Sequence, residues 1–90
     1  MREIVQTAQF KKDLKRIARS GRYRVEDLLE TVDQLARGES LADRYRDHAL
    51  TGDLSAYREC HIRPDWLLMY KQSAAELTLV RTGSHSELFD

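Results

Sequence analysis

This chain of 90 residues contains few of the residues that cross-link or interrupt a fold: one cysteine, one proline and four glycines. Its single cysteine, Cys60, cannot form an internal disulfide or a paired-cysteine metal motif, which favours a reduced, cytosolic protein. The longest uninterrupted apolar run covers residues 66–70, whereas a membrane span needs about 20 residues. Eight of the first twenty residues are charged, so we also expect no secretory signal.

The motifs of several common enzyme classes are missing as well. We find no phosphate-binding loop, no dinucleotide-binding glycine pattern and no serine or cysteine nucleophile motif. The three histidines lack the close helical spacing that zinc sites favour, so we predict neither a metal nor a cofactor. A single domain over residues 1–90 buries only roughly 60% of its unfolded surface, so we expect any chemistry to lie on an open concave face.

The charges are balanced overall but unevenly distributed along the chain. Fifteen Lys and Arg residues match fifteen Asp and Glu residues. Residues 1–24, however, contain eight positive and two negative charges, while residues 25–90 contain seven positive and thirteen negative ones. Such an asymmetry suggests a polyanionic partner.

The spacing of apolar residues predicts an opening strand over residues 2–7 and then a helical hairpin. The first helix covers residues 8–20, between an N-cap at Thr7 and a stop at Ser20-Gly21, and its apolar face is Phe10, Leu14, Ile17 and Ala18. After a link of one or two residues, the second helix covers 23–37 and ends at Gly38. Its predicted apolar stripe is Val25, Leu28, Leu29, Val32, Leu35 and Ala36, opposite an acidic face.

The rest of the chain predicts a sheet. Residues 39–55 show no sustained period and indicate an ordered loop. Three strands follow over 57–62, 66–71 and 77–82, with a turn at Arg63-Pro64-Asp65 and a short tail at 86–89. In the last strand, alternation places Leu77, Leu79 and Arg81 on one face. The predicted fold is α+β in the order β-α-α-β-β-β, a small antiparallel twisted sheet with the helical hairpin packed on one face.

One face of the first helix is basic. The apolar positions leave the opposite arc to cations without an acidic residue among them: Lys11, Lys12, Lys15, Arg16, Arg19 and Arg22. Such a surface attracts phosphate. A solvated face balanced by the acidic second helix is the alternative interpretation.

The candidate catalytic residues all lie in the second half: His48, His61, Asp65, Arg81 and His85. The predicted strands bring them towards one concave surface, although each residue taken alone could have an ordinary structural role, and Trp66 is better explained as core. The set suits metal-free RNA cleavage, which needs a base for the 2′-hydroxyl, an acid for the leaving 5′-oxygen and a cation for the phosphorane. Histidine can act as acid or base near neutral pH, and arginine presents a planar fork to phosphate.

Two segments resemble a known family. The stretches DHALTGDLSAYRECHIRPDWLLMYK and RTGSHSELF are similar to the signature of the YafQ-like branch of the RelE/ParE toxin superfamily, and the resemblance extends over the whole chain. It implies a RelE-like toxin of a type II toxin–antitoxin system that cuts mRNA in the ribosomal decoding site without a metal, in the cytoplasm. It also implies a cognate antitoxin, a small DNA-binding protein that would connect the toxin to operator DNA, and it implies no membrane.

The resemblance assigns roles to particular positions. It implies acid–base roles for His48, His61, Asp65 and His85, phosphate stabilisation by Arg81 and base stacking by Phe89. From the residues we expect His85 to be the general acid, while His48, His61 and Asp65 remain candidates for the base. Two rival functions stay open: a toxin of this fold that poisons DNA gyrase by binding, and a nucleic-acid-binding module with incidental histidines.

Overall fold

Five strands and three helices form along residues 1–89, the part of the chain that the computed structural model describes. Two short 3₁₀ turns, Asp43–Tyr45 and Gly52–Leu54, flank the second strand. In chain order the elements are β1 (Glu3–Gln6), α1 (Ala8–Ser20), α2 (Val25–Ala36), β2 (His48–Ala49), β3 (Arg58–Arg63), β4 (Trp66–Gln72), β5 (Glu76–Gly83) and α3 (His85–Phe89).

The strands form one sheet in the order β1-β5-β4-β3-β2. Neighbouring strands from β2 to β5 run antiparallel, and the α+β class is confirmed. Antiparallel pairing was predicted for β3 to β5, whereas β2 lies in the segment 39–55 that was predicted to be a loop. The predicted order β-α-α-β-β-β therefore lacks this strand and the terminal helix α3. The prediction of a wholly antiparallel sheet needs one correction, because β1 runs parallel to β5. Parallel neighbours need a crossover connection, and the helical hairpin begins that long connection here.

Helix α1 has the termini that the sequence predicts. The Thr7 side chain accepts a hydrogen bond from the Phe10 N–H at 3.0 Å, and Gly21 ends the helix with a φ of 66°, in the left-handed region that suits glycine. Its buried stripe differs from the prediction: Asp13 is buried together with Phe10 and Ile17, and Ala18 is exposed.

Helix α2 begins later than predicted, because residues 21–24 form a four-residue link instead of one or two. Within that link Tyr23 stacks on Trp66, with 4.8 Å between the ring centroids, which pins the hairpin to the sheet. Most of the predicted apolar stripe is buried, but Leu29 is 56% exposed and Thr31 takes a place in the stripe. Gly38 follows the end of α2 in a left-handed conformation with a φ of 77°.

The core lies between the helices and one face of the sheet. Alternate residues of the two central strands point into it, namely Cys60, Ile62, Trp66, Leu68 and Tyr70. Trp66 is fully buried and donates to the Thr82 hydroxyl at 2.9 Å, which confirms it as a core residue. Burial raises the pKa of the Cys60 thiol to about 12, so this cysteine stays protonated.

The C-terminal tail is a short helix, α3. Ser84 and Glu87 cap it reciprocally: the Ser84 N–H donates to the Glu87 carboxylate at 2.8 Å, and the Glu87 N–H donates to the Ser84 hydroxyl at 3.2 Å. The hydrogen bond from the Ser84 N–H keeps the pKa of Glu87 below its usual value. None of the helices formed by residues 1–89 is both long and apolar enough to cross a membrane.

Candidate active site on the open face of the sheet

The face of the sheet opposite the helices collects polar residues in one row across four strands. The strand register pairs His48 with Glu59, Glu59 with Met69, and Met69 with Arg81. Directly paired residues project to the same side of a sheet, so these four side chains share the open face. The next row continues with His61, which is paired with Leu67.

Arg81 reaches this face because β5 contains a bulge. Tyr70 pairs with Leu79 and Met69 pairs with Arg81, which leaves Val80 as an extra residue. One extra residue reverses the alternation of a strand. The prediction that Arg81 shares a face with Leu77 and Leu79 is therefore wrong, since Leu77 and Leu79 belong to the core and Arg81 lies on the opposite face.

The guanidinium of Arg81 is held by Asp13 of α1. Its Nε and Nη2 donate to the two carboxylate oxygens at 3.0 and 3.2 Å, and Asp13 is fully buried. The hydrogen bond to Asp13 raises the pKa of Arg81, so the cation persists. A guanidinium has five N–H donors, so a further three remain available for a phosphate.

His48 and Glu59 form a close pair on this face. The Nδ1 of His48 contacts the carbonyl oxygen of Arg46 at 2.6 Å, and its Nε2 lies 3.2 Å from Glu59 Oε1. A carbonyl only accepts, so Nδ1 carries a hydrogen. The Nε2 of His48 therefore faces the Glu59 carboxylate.

Glu59 is the functional candidate that the sequence reasoning missed. It is only 7% exposed, and its second carboxylate oxygen, Oε2, has no hydrogen-bond partner within residues 1–89. A buried carboxylate without full pairing is unfavourable for folding, so its presence suggests a role in function. The signal was available: period-two alternation in the predicted strand puts Glu59 and His61 on the same face.

The segment before His48 is fixed from the core side. Asp47 accepts a hydrogen bond from the hydroxyl of the buried Tyr70. It also forms an ion pair with Arg58, with 3.3 Å between the guanidinium and the carboxylate. Burial raises the pKa of Tyr70, and the contact with Asp47 adds to that effect. Arg46, directly before Asp47, has a φ of 49°, a conformation that few non-glycine residues adopt. Together these contacts set the position of His48.

His61 has the opposite arrangement to His48. Its Nδ1 donates to the carbonyl oxygen of Pro64 at 3.3 Å, and its Nε2 has no hydrogen-bond partner within residues 1–89. Asp65, in the same turn, forms no hydrogen bond or ion pair with a histidine in that part of the chain. Its carboxylate lies 3.6 Å from Arg22, at the end of the helical hairpin.

His85 and Phe89 lie together on α3, with 5.1 Å between their ring centroids. The helix is anchored by Arg16, whose Nε lies 3.2 Å from Glu87 and whose Nη1 donates to Asp13 at 3.1 Å. Asp13 thus links Arg81 with the helix that carries His85. Within residues 1–89, no hydrogen bond or ion pair joins His85 to the row that contains His48, so their convergence remains a prediction.

The basic face of α1 is partly as predicted. Lys12, Lys15, Arg16 and Arg19 line one open groove of about 460 Å³. Three details differ: Lys11 faces a neighbouring groove beside Leu14 and Ala18, Arg16 is engaged with two carboxylates, and Arg22 lies beyond the end of the helix. The expected attraction of phosphate is therefore reduced at Arg16 and Arg22, which are paired with carboxylates from elsewhere in the fold or from the buried side of α1.

Within residues 1–89, the open face combines the pair of His48 and Glu59, a second histidine without a partner at Nε2, and an arginine held by Asp13. These are the groups that acid–base cleavage of a phosphodiester requires. Within residues 1–89, no three His, Cys, Asp or Glu side chains lie close enough to hold a metal ion.

Comparisons with known proteins find similar chains. The family described as "Bacterial toxin of type II toxin-antitoxin system, YafQ" matches residues 2–90. The mRNA interferase toxin YafQ of Escherichia coli K12 is 34% identical over 90 residues, which cover 98% of this chain and 96% of that protein.

Two solved structures are also similar. A copper-bound mutant toxin from Helicobacter pylori has a TM-score of 0.94 and 39% identity, covering 99% of this chain and 100% of that chain. A chain of the E. coli DinJ-YafQ toxin-antitoxin complex has a TM-score of 0.89 and 34% identity, covering 99% and 98%. The family match over almost the whole sequence, the full-length relatives and the shared fold together show that this chain belongs to the YafQ family of bacterial toxins of type II toxin–antitoxin systems.

Proposed function

We propose that this YafQ-family toxin is an endoribonuclease that cleaves mRNA in the ribosomal decoding site without a metal ion. The name of its E. coli relative, mRNA interferase toxin, supports the substrate. The observation that carries the proposal is the row His48–Glu59–Met69–Arg81, beside His61, on one open face of the sheet.

The proposed reaction is an attack within the RNA itself. The 2′-hydroxyl oxygen forms a bond to phosphorus while a base removes its proton. The bond from phosphorus to the 5′-oxygen breaks as an acid supplies a proton to that oxygen. The products are a 2′,3′-cyclic phosphate and a free 5′-hydroxyl, with no net gain or loss of protons.

The hydrogen bonds favour His61 as the base. Its Nδ1 hydrogen is used by the Pro64 carbonyl, so Nε2 is free to accept the 2′-hydroxyl proton. The Nε2 of His48 is occupied by Glu59, which suits His48 to stabilise negative charge instead. Asp65 remains a second candidate for the base, although this role requires it to leave Arg22.

His85 is the proposed acid and Arg81 the proposed phosphate ligand. Arg81 can use its remaining N–H groups on the phosphorane oxygens, where charge develops in the transition state. The ring centroids of Phe89 and His85 are 5.1 Å apart, so an RNA base stacked on Phe89 would lie next to the acid.

The basic groove on α1 is the proposed surface for ribosomal RNA. Three of the cations that line it form no ion pair within residues 1–89, namely Lys12, Lys15 and Arg19. Contacts with phosphates are electrostatic and fall with salt. Lys11, in the neighbouring groove, and Arg16 complete the predicted set, with Arg16 limited by its ion pairs.

The proposed regulator is a cognate antitoxin, a small DNA-binding protein that binds the toxin and carries it to operator DNA. The DinJ-YafQ complex of the E. coli relative supports this partner. Expression of this chain alone should arrest bacterial growth, and co-expression with the antitoxin should relieve the arrest. Growth that continues while the folded toxin accumulates would argue against this role.

Primer extension on mRNA in a translation extract tests the proposed function. We expect cuts in reading frame within translated mRNA, and no cuts when ribosomes are removed. Intact mRNA in the presence of folded toxin and active ribosomes would overturn the nuclease assignment. Equal cleavage of free RNA would overturn ribosome dependence alone.

A further inference from the structure

A separate cleft of about 470 Å³ opens beside His61, along the outer edge of β3. It exists because β2 is only two residues long and pairs with Arg58 and Glu59, so residues 61–63 have no strand neighbour on that side. The cleft is lined by three arginines, a histidine and two apolar residues: Arg44, Arg46, His61, Ile62, Arg63 and Pro64. No carboxylate is among these lining residues.

The three guanidinium groups differ in how they are held. Arg44 lies over the Tyr45 ring, 4.5 Å from its centroid, and donates to the Tyr45 hydroxyl at 3.1 Å. Arg63 donates to Asp27 at 2.7 Å, which neutralises its charge. The guanidinium of Arg46 has no partner within residues 1–89. Within residues 1–89, therefore, two of the three guanidinium groups, those of Arg44 and Arg46, form no ion pair, although Arg44 also lines a neighbouring groove with Asp27 and Glu30.

Arg46 also connects the cleft with the catalytic row. Its backbone has the unusual φ of 49°, and its carbonyl oxygen accepts the Nδ1 hydrogen of His48. Its side chain lines the same cleft as His61. Arg46 thus contacts His48 through its backbone carbonyl, while its side chain lines the cleft beside His61.

We propose that this cleft binds the phosphodiester backbone of RNA next to the scissile bond, with Arg46 and Arg44 as its phosphate ligands. The inference rests on the proposed function, because it is the use of His61 as base that brings an RNA strand past the cleft. Arginine forks match phosphate oxygens, and an open cleft with cations and a short apolar wall suits a sugar–phosphate chain. The strand can belong to mRNA or to ribosomal RNA, since both present the same phosphodiester.

The test variant is Arg46→Asn, because asparagine tolerates the left-handed backbone and so preserves the carbonyl contact with His48. The control is Arg37→Asn, which also removes one positive charge but from a guanidinium paired with Asp33 and Glu39. Binding is measured between 50 and roughly 200 mM salt to empty ribosomes, and to ribosomes programmed with mRNA that carries a 2′-deoxy nucleotide at the cleavage site.

A phosphate contact in the cleft gives a defined result. Arg46→Asn should weaken binding roughly tenfold and reduce the slope of log K against log salt by about 0.7 to 0.9, while Arg37→Asn changes neither. A defect on empty ribosomes assigns the phosphate to ribosomal RNA. A defect only on programmed ribosomes assigns it to mRNA, and both results support the proposal.

Other results overturn it. If Arg46→Asn binds both kinds of ribosome like the wild-type protein with an unchanged salt slope, the cleft does not bind RNA. If only antitoxin binding is weakened, the cleft receives an acidic protein segment instead. Because the modified mRNA cannot be cut through its 2′-hydroxyl, this binding result is independent of cleavage. Failure of the proposed function is seen separately, as intact unmodified mRNA with the wild-type toxin.

Discussion

Removal of the Asp13 carboxylate should destabilise the protein more than any surface substitution. This side chain is fully buried on α1 and accepts hydrogen bonds at 3.0 to 3.2 Å. The donors come from four residues: Gln9, Arg16, Arg81 and the backbone N–H of Thr82. Asp13→Ala removes an acceptor from each of these donors, although Arg16 keeps its ion pair with Glu87.

The expected loss in the free energy of unfolding follows from the burial of the Asp13 site. Breaking a buried ion pair by removing one partner costs roughly 3–5 kcal/mol. The side chains of Arg81 and Arg16 remain 30% and 44% exposed, so water partly solvates the released cations and lowers this figure. The buried Thr82 N–H has no such access and costs about 1–3 kcal/mol. We therefore expect a loss of about 2–4 kcal/mol, or on the order of 10–25 °C in Tm.

Urea unfolding at pH 7 measures this loss. The control is Asp33→Ala, which removes an exposed carboxylate from an ion pair with Arg37 on α2 and should change stability by less than about 0.5 kcal/mol. A loss below about 1 kcal/mol for Asp13→Ala, with an unchanged m value, would refute the reasoning about the buried pair.

The same carboxylate makes stability depend on pH. Burial raises the pKa of Asp13, but the hydrogen bonds from Arg81, Gln9, Thr82 and Arg16 together outweigh burial, and the net pKa is lowered. A lowered pKa gives stability that is present above the unfolded-state pKa and lost as pH falls through the folded-state value. The advantage of the wild-type protein over Asp13→Asn should therefore shrink below about pH 4.

Four further predictions concern the candidate active site and the residues that support it. His85→Ala should slow single-turnover cleavage by at least about 10²-fold while ribosome binding persists, and a substrate with a 5′-thio leaving group should restore the rate. Glu59→Gln should slow cleavage by roughly 10²-fold and change its pH profile, because it removes the charge beside His48. Tyr70→Phe should lower the free energy of unfolding, measured with urea, by about 1 kcal/mol. It should also slow cleavage, because Asp47 loses a hydrogen bond that helps to position His48. Phe89→Ala should abolish cleavage at an unchanged Tm if Phe89 stacks on an RNA base.

Each of these has a contradicting result. If the 5′-thio substrate does not rescue His85→Ala, His85 is not the acid. A pH profile of Glu59→Gln equal to that of the wild-type protein would mean that Glu59 does not act on His48. Tyr70→Phe with full activity would mean that Asp47 does not position His48. A lower Tm for Phe89→Ala would instead identify Phe89 as a hydrophobic anchor of α3.

Most of the fold was predictable from local signals. Thr7, Gly21 and Gly38 act at helix termini as their side chains and conformational freedom predict. The turn after Arg63 also forms, because proline fixes φ and Arg63 pairs with Trp66 across it. These features depend on near neighbours in the sequence, so periodicity and turn chemistry identify them.

Features that depend on distant partners were not predictable. Strand β2 has two residues, too few for a period, and forms only because β3 offers an edge. The bulge at Val80, which turns Arg81 to the open face, is a property of the β4–β5 pairing. Asp13 is buried on a helix because a partner 68 residues away neutralises it. The periodicity of a helix alone predicts that a charged side chain such as Asp13 is exposed to solvent.

The candidate site was predictable in part. The sequence indicated one concave surface for the histidines, and the structure places His48, His61 and Arg81 on the same face. Glu59 was missed although alternation places it on the same face as His61, because a charged residue in a strand is usually solvated. The sequence also did not separate the roles of His48 and His61, which depend on which carbonyl each Nδ1 contacts.

The identity of the RNA ends tests the central claim most directly. Toxin is added to ribosomes programmed with unmodified mRNA, or with the same mRNA containing one 2′-deoxy nucleotide at the mapped cleavage site. Attack by the 2′-hydroxyl predicts fragments with a 2′,3′-cyclic phosphate and a 5′-hydroxyl, and no cut in the modified mRNA. Cleavage of the modified mRNA, or fragments with a 3′-hydroxyl and a 5′-phosphate, would contradict the acid–base mechanism assigned to this face.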